Sequence, residues 1–295
     1  MADLRHAFGE FHARIALTHG NKVVMQMARE ATRERIRRYF GDTLGVKIPL
    51  FRGQGAYVMD TMVNPIAGEY DIDDGVYLQH LDNRNHGNWP AADTVHRWLM
   101  DALDGYCGGK TEAKRACVRF RFPGLYHVDL PVYGQFNGRF RLAVKGSPNW
   151  PRSDPTSLCL WFGSHVSRYG EQLRRIVCYI KEWAGFQTRR CGGMPGGLIL
   201  TVLAVQHYQN HEKDDVALAR TLKSISNAVC SQFSVPNPVD SGEELTGRLT
   251  AVQKTIFQDA VQKAGGDAME ALNMVDSHKA LTVWRRVLGN RFPKA

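Results

Sequence analysis

The stretch Asp71-Ile72-Asp73-Asp74-Gly75-Val76-Tyr77-Leu78 decides how this chain is read. In an extended strand, residues two apart share a face, so Asp71 and Asp73 project together while Ile72 points into the core. Two carboxylates held that close repel strongly unless a cation neutralises them. Oxygen-only ligation of this kind suits Mg2+ or Mn2+, which also keeps waters and substrate phosphates. A third acid, Asp129, sits inside the apolar run Tyr126-His127-Val128-Asp129-Leu130, and an acid in mid-strand is costly to bury without a partner. If that run lies beside the first, three carboxylates converge, as a two-ion phosphoryl-transfer site requires. An EF-hand loop starting at Asp71 would need glycine at 76 and glutamate at 82, where the chain has Val76 and Asp82. A hairpin turn at Asp74-Gly75 is the remaining alternative; it accounts for neither Asp129 nor Ile72.

Upstream of the acids lies Gly53-Gln54-Gly55-Ala56-Tyr57. Small residues at a turn let backbone N–H groups approach a phosphate closely; the information is in the position, just ahead of the paired acids. Around these motifs, residues 46–146 have a strand texture, with runs at 75–78, 117–122, 126–130 and 139–144 separated by Gly, Pro and Asn. One helix is expected within this region, over 91–103. Before it, residues 5–40 read as one or two helices in which Val23, Val24, Met27, Ile36 and Phe40 recur at helical spacing. Beyond 147–151 the pattern turns helical, with candidate helices over 155–169, 171–185, 195–211, 214–230, 241–264 and 266–289. Pro195 suits a first-turn position. The expected architecture is α+β: a lobe with a mixed β-sheet and N-terminal helices over 1–150, a helical lobe over 151–295, and an active site in the cleft between them.

The chain has 295 residues, of which 43% are hydrophobic and 23% charged, an ordinary globular balance. The longest apolar run, Leu198 to Val205, is far below the roughly 20 residues needed to span a bilayer. No apolar leader follows Met1, and six cysteines are scattered without a C-x-x-C pair. A cytoplasmic protein with reduced thiols and no membrane partner is expected. A net charge of +9 implies a field that attracts polyanions. Part of it lies in Arg33, Arg35, Arg37 and Arg38, which Glu30 and Glu34 can partner on a solvated helix face. His207 and His211 have zinc-ligand spacing, but Tyr208 stands where H-E-x-x-H needs glutamate.

Taken in order, G-Q-G-A-Y, D-I-D-D-G-V-Y-L and H-V-D-L resemble the polymerase-β-like nucleotidyltransferases. More narrowly, the chain is similar to the cyclic-oligonucleotide synthases of bacterial anti-phage defence, relatives of animal cyclic GMP-AMP synthase. The likeness covers roughly residues 40–210 and continues through 150–155, Trp161-Phe162, the 179–183 helix and the 194–201 segment. It implies that Asp71 and Asp73 hold two metal ions, Mg2+ or Mn2+, and that Asp129 completes the second ion's shell and orients the acceptor hydroxyl. It also implies backbone contacts from Gly55 and Ala56 to the donor's β- and γ-phosphates, with Gln54 and Tyr57 nearby, and a reach to the triphosphate from Lys181. At Ala56 the family usually has serine, so one side-chain phosphate contact is missing. Tyr57 and Tyr77 are the aromatics nearest the motifs for stacking bases. The implied activity joins nucleoside triphosphates, ATP and GTP among them, into a cyclic dinucleotide of the cyclic GMP-AMP type, releasing pyrophosphate. A cyclic-nucleotide-sensing effector would read the product, and no stable nucleic-acid partner is expected. Transfer to an RNA or protein acceptor, or an inert nucleotide-binding sensor of the same fold, are the alternatives.

Overall fold

The structure, a computed structural model, describes residues 2–65, 69–124 and 126–295. In chain order the elements are α1 (Arg5–Ile15), α2 (His19–Arg38), β1 (Leu50–Gln54), α3 (Gly55–Val58), β2 (Tyr70–Tyr77), α4 (Ala92–Leu103), β3 (Lys110–Ala113), β4 (Val118–Arg121), β5 (Tyr126–Leu130), β6 (Val132–Phe136) and β7 (Arg139–Leu142). They continue with α5 (Pro155–Tyr169), α6 (Glu171–Cys191), α7 (Gly197–Gln206), α8 (Asp214–Ser231), β8 (Pro236–Asn237), β9 (Asp240–Glu244), α9 (Ala251–Leu272) and α10 (Ser277–Leu288). By packing they form two compact units, Leu17–Met59 with Pro65–Cys159, and Met1–Ala16 with Asp60–Asn64 and Leu160–Ala295.

The first unit is built on a mixed sheet ordered β3-β4-β5-β2-β6-β7, with β1 also paired to β2. β2 runs parallel to β5 and β6 and antiparallel to β1. Its apolar residues explain its central place: Ile72 and Val76 are fully buried, as are Val128, Leu130 and Val132 on its neighbours. Each such side chain contributes about 1.5–3 kcal/mol of transfer free energy. Aromatic pairs fix the register at both ends. Tyr70 stacks on its register partner Tyr126 at 5.2 Å, and Tyr77 on its partner Tyr133 at 4.7 Å. Directly opposed aromatic pairs hold strands against a one-residue slip, which would turn every side chain to the other face.

Asp74 follows Asp73 on β2 and so faces the opposite way. It is fully buried, and Arg33 of α2 grips both its oxygens at 2.7 and 2.6 Å. Burial raises the Asp74 pKa while Arg33 opposes the rise. A buried acid that loses its partner is left as an uncompensated charge. Arg33→Met is therefore expected to cost about 3–5 kcal/mol of stability, and Arg33→Met with Asp74→Asn to recover much of it. Urea denaturation of the three proteins checks this; a single variant as stable as the parent would contradict it.

In the second unit, α6 buries Leu173, Ile176, Val177, Tyr179, Ile180 and Trp183, and every residue of α7 from Ile199 to Val205 is buried. Arg175 and Tyr179 both donate to Asp214 at the start of α8. Thr250 and Gln253 form a capping box on α9, and Asp276 caps α10.

The structure corrects several expectations. α1 packs with the helical unit instead of joining 1–150, because Phe8 and Phe11 enter an aromatic cluster with Tyr179, Trp284 and Phe292. Val23, Val24 and Met27 are exposed; the buried stripe of α2 is Met25, Thr32 and Ile36. The span 241–264 is not one helix, since β9 and a 3-10 turn at Leu245–Arg248 precede α9. Helix α7 begins at Gly197, so Pro195 lies ahead of its first turn. The strand reading of the acids holds against its alternative, since Asp74-Gly75 lies inside β2 and forms no hairpin turn.

Candidate metal and nucleotide site

Parallel pairing of β2 with β5 sets Asp73 opposite Asp129 and Asp71 opposite His127. Alternation puts all four side chains on one face of the sheet. Asp71 is the open member, its side chain 48% exposed, whereas that of Asp129 is 11% exposed. Donor atoms of Asp71, His127 and Asp129 lie within 4.8 Å of one another. Asp73 sits among these charges, and burial is the largest cause of its pKa rising to about 7, followed by repulsion from Asp71 and Asp129. Arg119 and His127 oppose that rise.

Arg119 and His127 were not singled out by motif. Arg119 on β4 is the register partner of Asp129 and donates to both its oxygens at 2.7 Å, with Asp71 Oδ2 at 3.8 Å. His127 is 5% exposed. Its Nδ1 lies 2.9 Å from Glu69 Oε2, and Glu69 also pairs with Arg121. Its Nε2 has no hydrogen-bond partner and lies 3.1 Å from Asp71 Oδ1. The signal for both was present: Arg119 alternates with Arg121 on a predicted strand, and His127 lies two residues before Asp129. Neither placement could be used without the register.

This face fits a divalent cation. Oxygen donors converge, burial and then the neighbouring acids raise the pKa of one carboxyl to about 7, and a buried ring nitrogen without a hydrogen-bond partner lies beside them. Since the protonated form of Asp73 persists up to about pH 7, cation binding below that pH must expel a proton. The affinity for Mn2+ is expected to fall by up to about tenfold per pH unit below 7 and to level off above it. Calorimetry in buffers of different ionisation enthalpy would show the proton release; pH-independent binding without release would contradict the assignment.

The turn at Gly55 touches this cluster. Gly55 has φ +70°, and a Cβ there would stand 2.3 Å from Asp73 Oδ2, so the backbone packs directly against the acid. Burial raises the pKa of the Cys159 thiol, and the Gly55 backbone N–H, donating to its sulfur, opposes that rise. Gln54 is buried and donates to Tyr133 at 3.2 Å, so its side chain serves the sheet. The Arg29 guanidinium lies over the Tyr57 ring, its Cζ 5.4 Å from the ring centroid. Tyr77 is 4% exposed and stacked within the sheet, which removes it as a base platform. Lys181 belongs to the helical unit, where Nζ donates to Thr61 O at 3.2 Å and Oγ1 at 2.9 Å.

The family model of the DncV-like cyclic GMP-AMP synthase nucleotidyltransferase domain matches residues 49–133, the segment from β1 into β6. A cyclic AMP-AMP-AMP synthase of Acinetobacter is 34% identical over 82% of this chain and 72% of its own length. The chain belongs to the DncV-like nucleotidyltransferases. A cyclic GMP-AMP synthase of Escherichia albertii is 31% identical to this family member over 64% of the chain, and one of Vibrio cholerae 25% identical over 66%. The chain spans about half the length of these two, 44% and 56% respectively. The fold is that of the Vibrio cholerae DncV crystal structure, with TM-score 0.83 at 17% identity, covering 100% of this chain and 98% of that one. It is the polymerase-β-like nucleotidyltransferase fold with a helical C-terminal lobe. Among the described residues, no helix is long and apolar enough to cross a membrane.

Proposed function

We propose that this DncV-like nucleotidyltransferase joins nucleoside triphosphates into a cyclic oligonucleotide, releasing one pyrophosphate for each bond made. The observation that carries the proposal is the β2–β5 register, which sets Asp71 and Asp73 against His127 and Asp129 on one face. In this reading Asp71, Asp73 and Asp129 hold two ions, Mg2+ or Mn2+. When bound, such ions acidify an attacking hydroxyl and neutralise charge developing on the phosphates. A ribose hydroxyl attacks the α-phosphorus of the donor; the new P–O bond forms as the bond to pyrophosphate breaks, and the hydroxyl proton leaves. A second such step in the same site closes the ring.

The chain's own groups orient and bind. Asp129, clamped by Arg119, is the group that orients the acceptor hydroxyl. Backbone N–H groups of Gly55 and Ala56 take the β- and γ-phosphates, with the Gln54 backbone and Tyr57 beside them, and Lys181 is kept as a triphosphate contact on family likeness. Ala56 carries no hydroxyl, so the backbone bears the grip that a serine would share.

The relatives divide over ring size: the two cyclic GMP-AMP synthases favour a dinucleotide from ATP and GTP, and the cyclic AMP-AMP-AMP synthase favours a trinucleotide from ATP alone. We take cyclic GMP-AMP as the first reading and the triadenylate as the second, the product acting as a second messenger read by an effector in anti-phage defence in the cytoplasm. Incubation with all four ribonucleoside triphosphates and Mg2+ or Mn2+, phosphatase treatment and mass spectrometry test this. A phosphatase-resistant ring supports the proposal, and its mass separates the two products. No ring in either metal, with transfer to added RNA or protein or with no turnover at all, overturns it.

A further inference from the structure

The sequence pattern suggests an all-oxygen cation site, but the structure adds a nitrogen. We propose that His127 is itself a ligand of the divalent cation, so that this site is a mixed imidazole–carboxylate site preferring Mn2+ to Mg2+. The inference rests on the metal-dependent reading given above.

Three observations carry it. His127 is buried, and its Nε2 has no hydrogen-bond partner. A buried polar atom without a partner is costly and calls for one. That nitrogen lies 3.1 Å from Asp71 Oδ1, and about 3 Å is the separation of two adjacent ligands around a six-coordinate ion with bonds of about 2.1 Å. The other ring nitrogen is spoken for: Nδ1 lies 2.9 Å from Glu69 Oε2. A carboxylate on the far nitrogen fixes the tautomer and the ring plane, the usual outer-shell support of a metal-bound histidine. With Nδ1 carrying the hydrogen, a bare lone pair on Nε2 faces Asp71, and a cation between them satisfies both.

The fork from Arg119 does not block this arrangement. Each carboxylate oxygen has two lone pairs, so Asp129 can hold Arg119 and still ligate the ion. Mg2+ takes oxygen ligands almost exclusively and dehydrates reluctantly, whereas Mn2+, although the weakest binder of the first-row transition ions and itself at home among oxygens, is less reluctant than Mg2+ to take one imidazole nitrogen. A single imidazole therefore shifts preference away from Mg2+ without excluding it.

The test uses the full chain with Mn2+ and inorganic triphosphate, which contains no nitrogen. Electron spin-echo envelope modulation of the bound Mn2+ is expected to show directly coordinated 14N, and this reading needs no variant. In Mg2+ competition, His127→Gln and His127→Asn are expected to lower the Mn2+-over-Mg2+ preference by on the order of tenfold with little change in Mg2+ affinity. Bound Mn2+ without nitrogen modulation, or an unchanged preference in both folded variants, would overturn the inference and leave the enzyme reading standing. No ion bound with or without triphosphate would overturn both.

Discussion

Asp73→Asn is expected to abolish product formation, by about three orders of magnitude or more, and at the same time to raise the melting temperature of the metal-free protein at pH 8. Loss of turnover follows from removing one carboxylate of the ion site, where several kcal/mol of transition-state stabilisation are at stake. The gain in stability follows from the sign of the Asp73 shift. Its pKa is raised from 3.8 to about 7, chiefly by burial and then by Asp71 and Asp129. A group whose folded pKa exceeds its unfolded value contributes most below the unfolded pKa, and that contribution is lost as pH rises through the folded pKa. At pH 8 the wild-type chain therefore holds an ionised Asp73 that folding disfavours, and asparagine removes that burden. Melting curves in chelator at pH 8 and pH 5.5 would show a gap that shrinks at the lower pH. Mn2+ should then raise the wild-type midpoint far more than that of the variant. A variant that keeps its turnover, or is less stable at pH 8, would count against the assignment of Asp73.

Gly55→Ala is the second change with a large expected effect. Its Cβ would stand 2.3 Å from Asp73 Oδ2 at a backbone φ of +70°, so the turn or the acid must move. Left-handed backbone costs a residue with a Cβ about 1 kcal/mol or more. The displaced carboxylate should cost about a hundredfold or more in turnover, since positioning errors near 1 Å have effects of that size. Gly45→Ala separates the two causes: Gly45 has φ +62° and open space where its Cβ would be. It should lose a similar backbone increment and keep full activity. Gly55→Ala with wild-type rates would show that the contact with Asp73 is dispensable.

The strand pattern made the acids legible. Alternation placed Asp71 and Asp73 on one face, and a mid-strand acid at Asp129 demanded a partner; β2 and β5 are parallel neighbours. The fold class was legible for the same reason, through period-2 runs followed by period-3.6 runs. Where sequence reasoning stopped, the missing quantity was register. Arg119 reads as an ordinary strand residue until β4 is aligned against Asp129, and His127 as a core residue until its empty nitrogen is seen facing Asp71. Gln54 and Tyr77 stood close to the motifs in sequence, yet Tyr133 engages both within the sheet. The stretch Val23–Met27 misled because helical spacing identifies a stripe without saying whether anything covers it.

Asp73 and Asp74 are chemically identical and adjacent, yet one is clamped for good by Arg33 and the other stands among exchangeable charges. The pleat alone makes that difference, which turns β2 into a reading frame. Substitutions in the connecting loops leave the frame intact, so substrate choice can drift there without disturbing the acids. Insertion or deletion of one residue within Asp71–Gly75 would exchange the inner and outer acids, offering the ion face to Ile72 and Asp74 and driving Asp73 toward Arg33. Length variation in this family's central strand should therefore be far rarer than length variation in the turns that flank it.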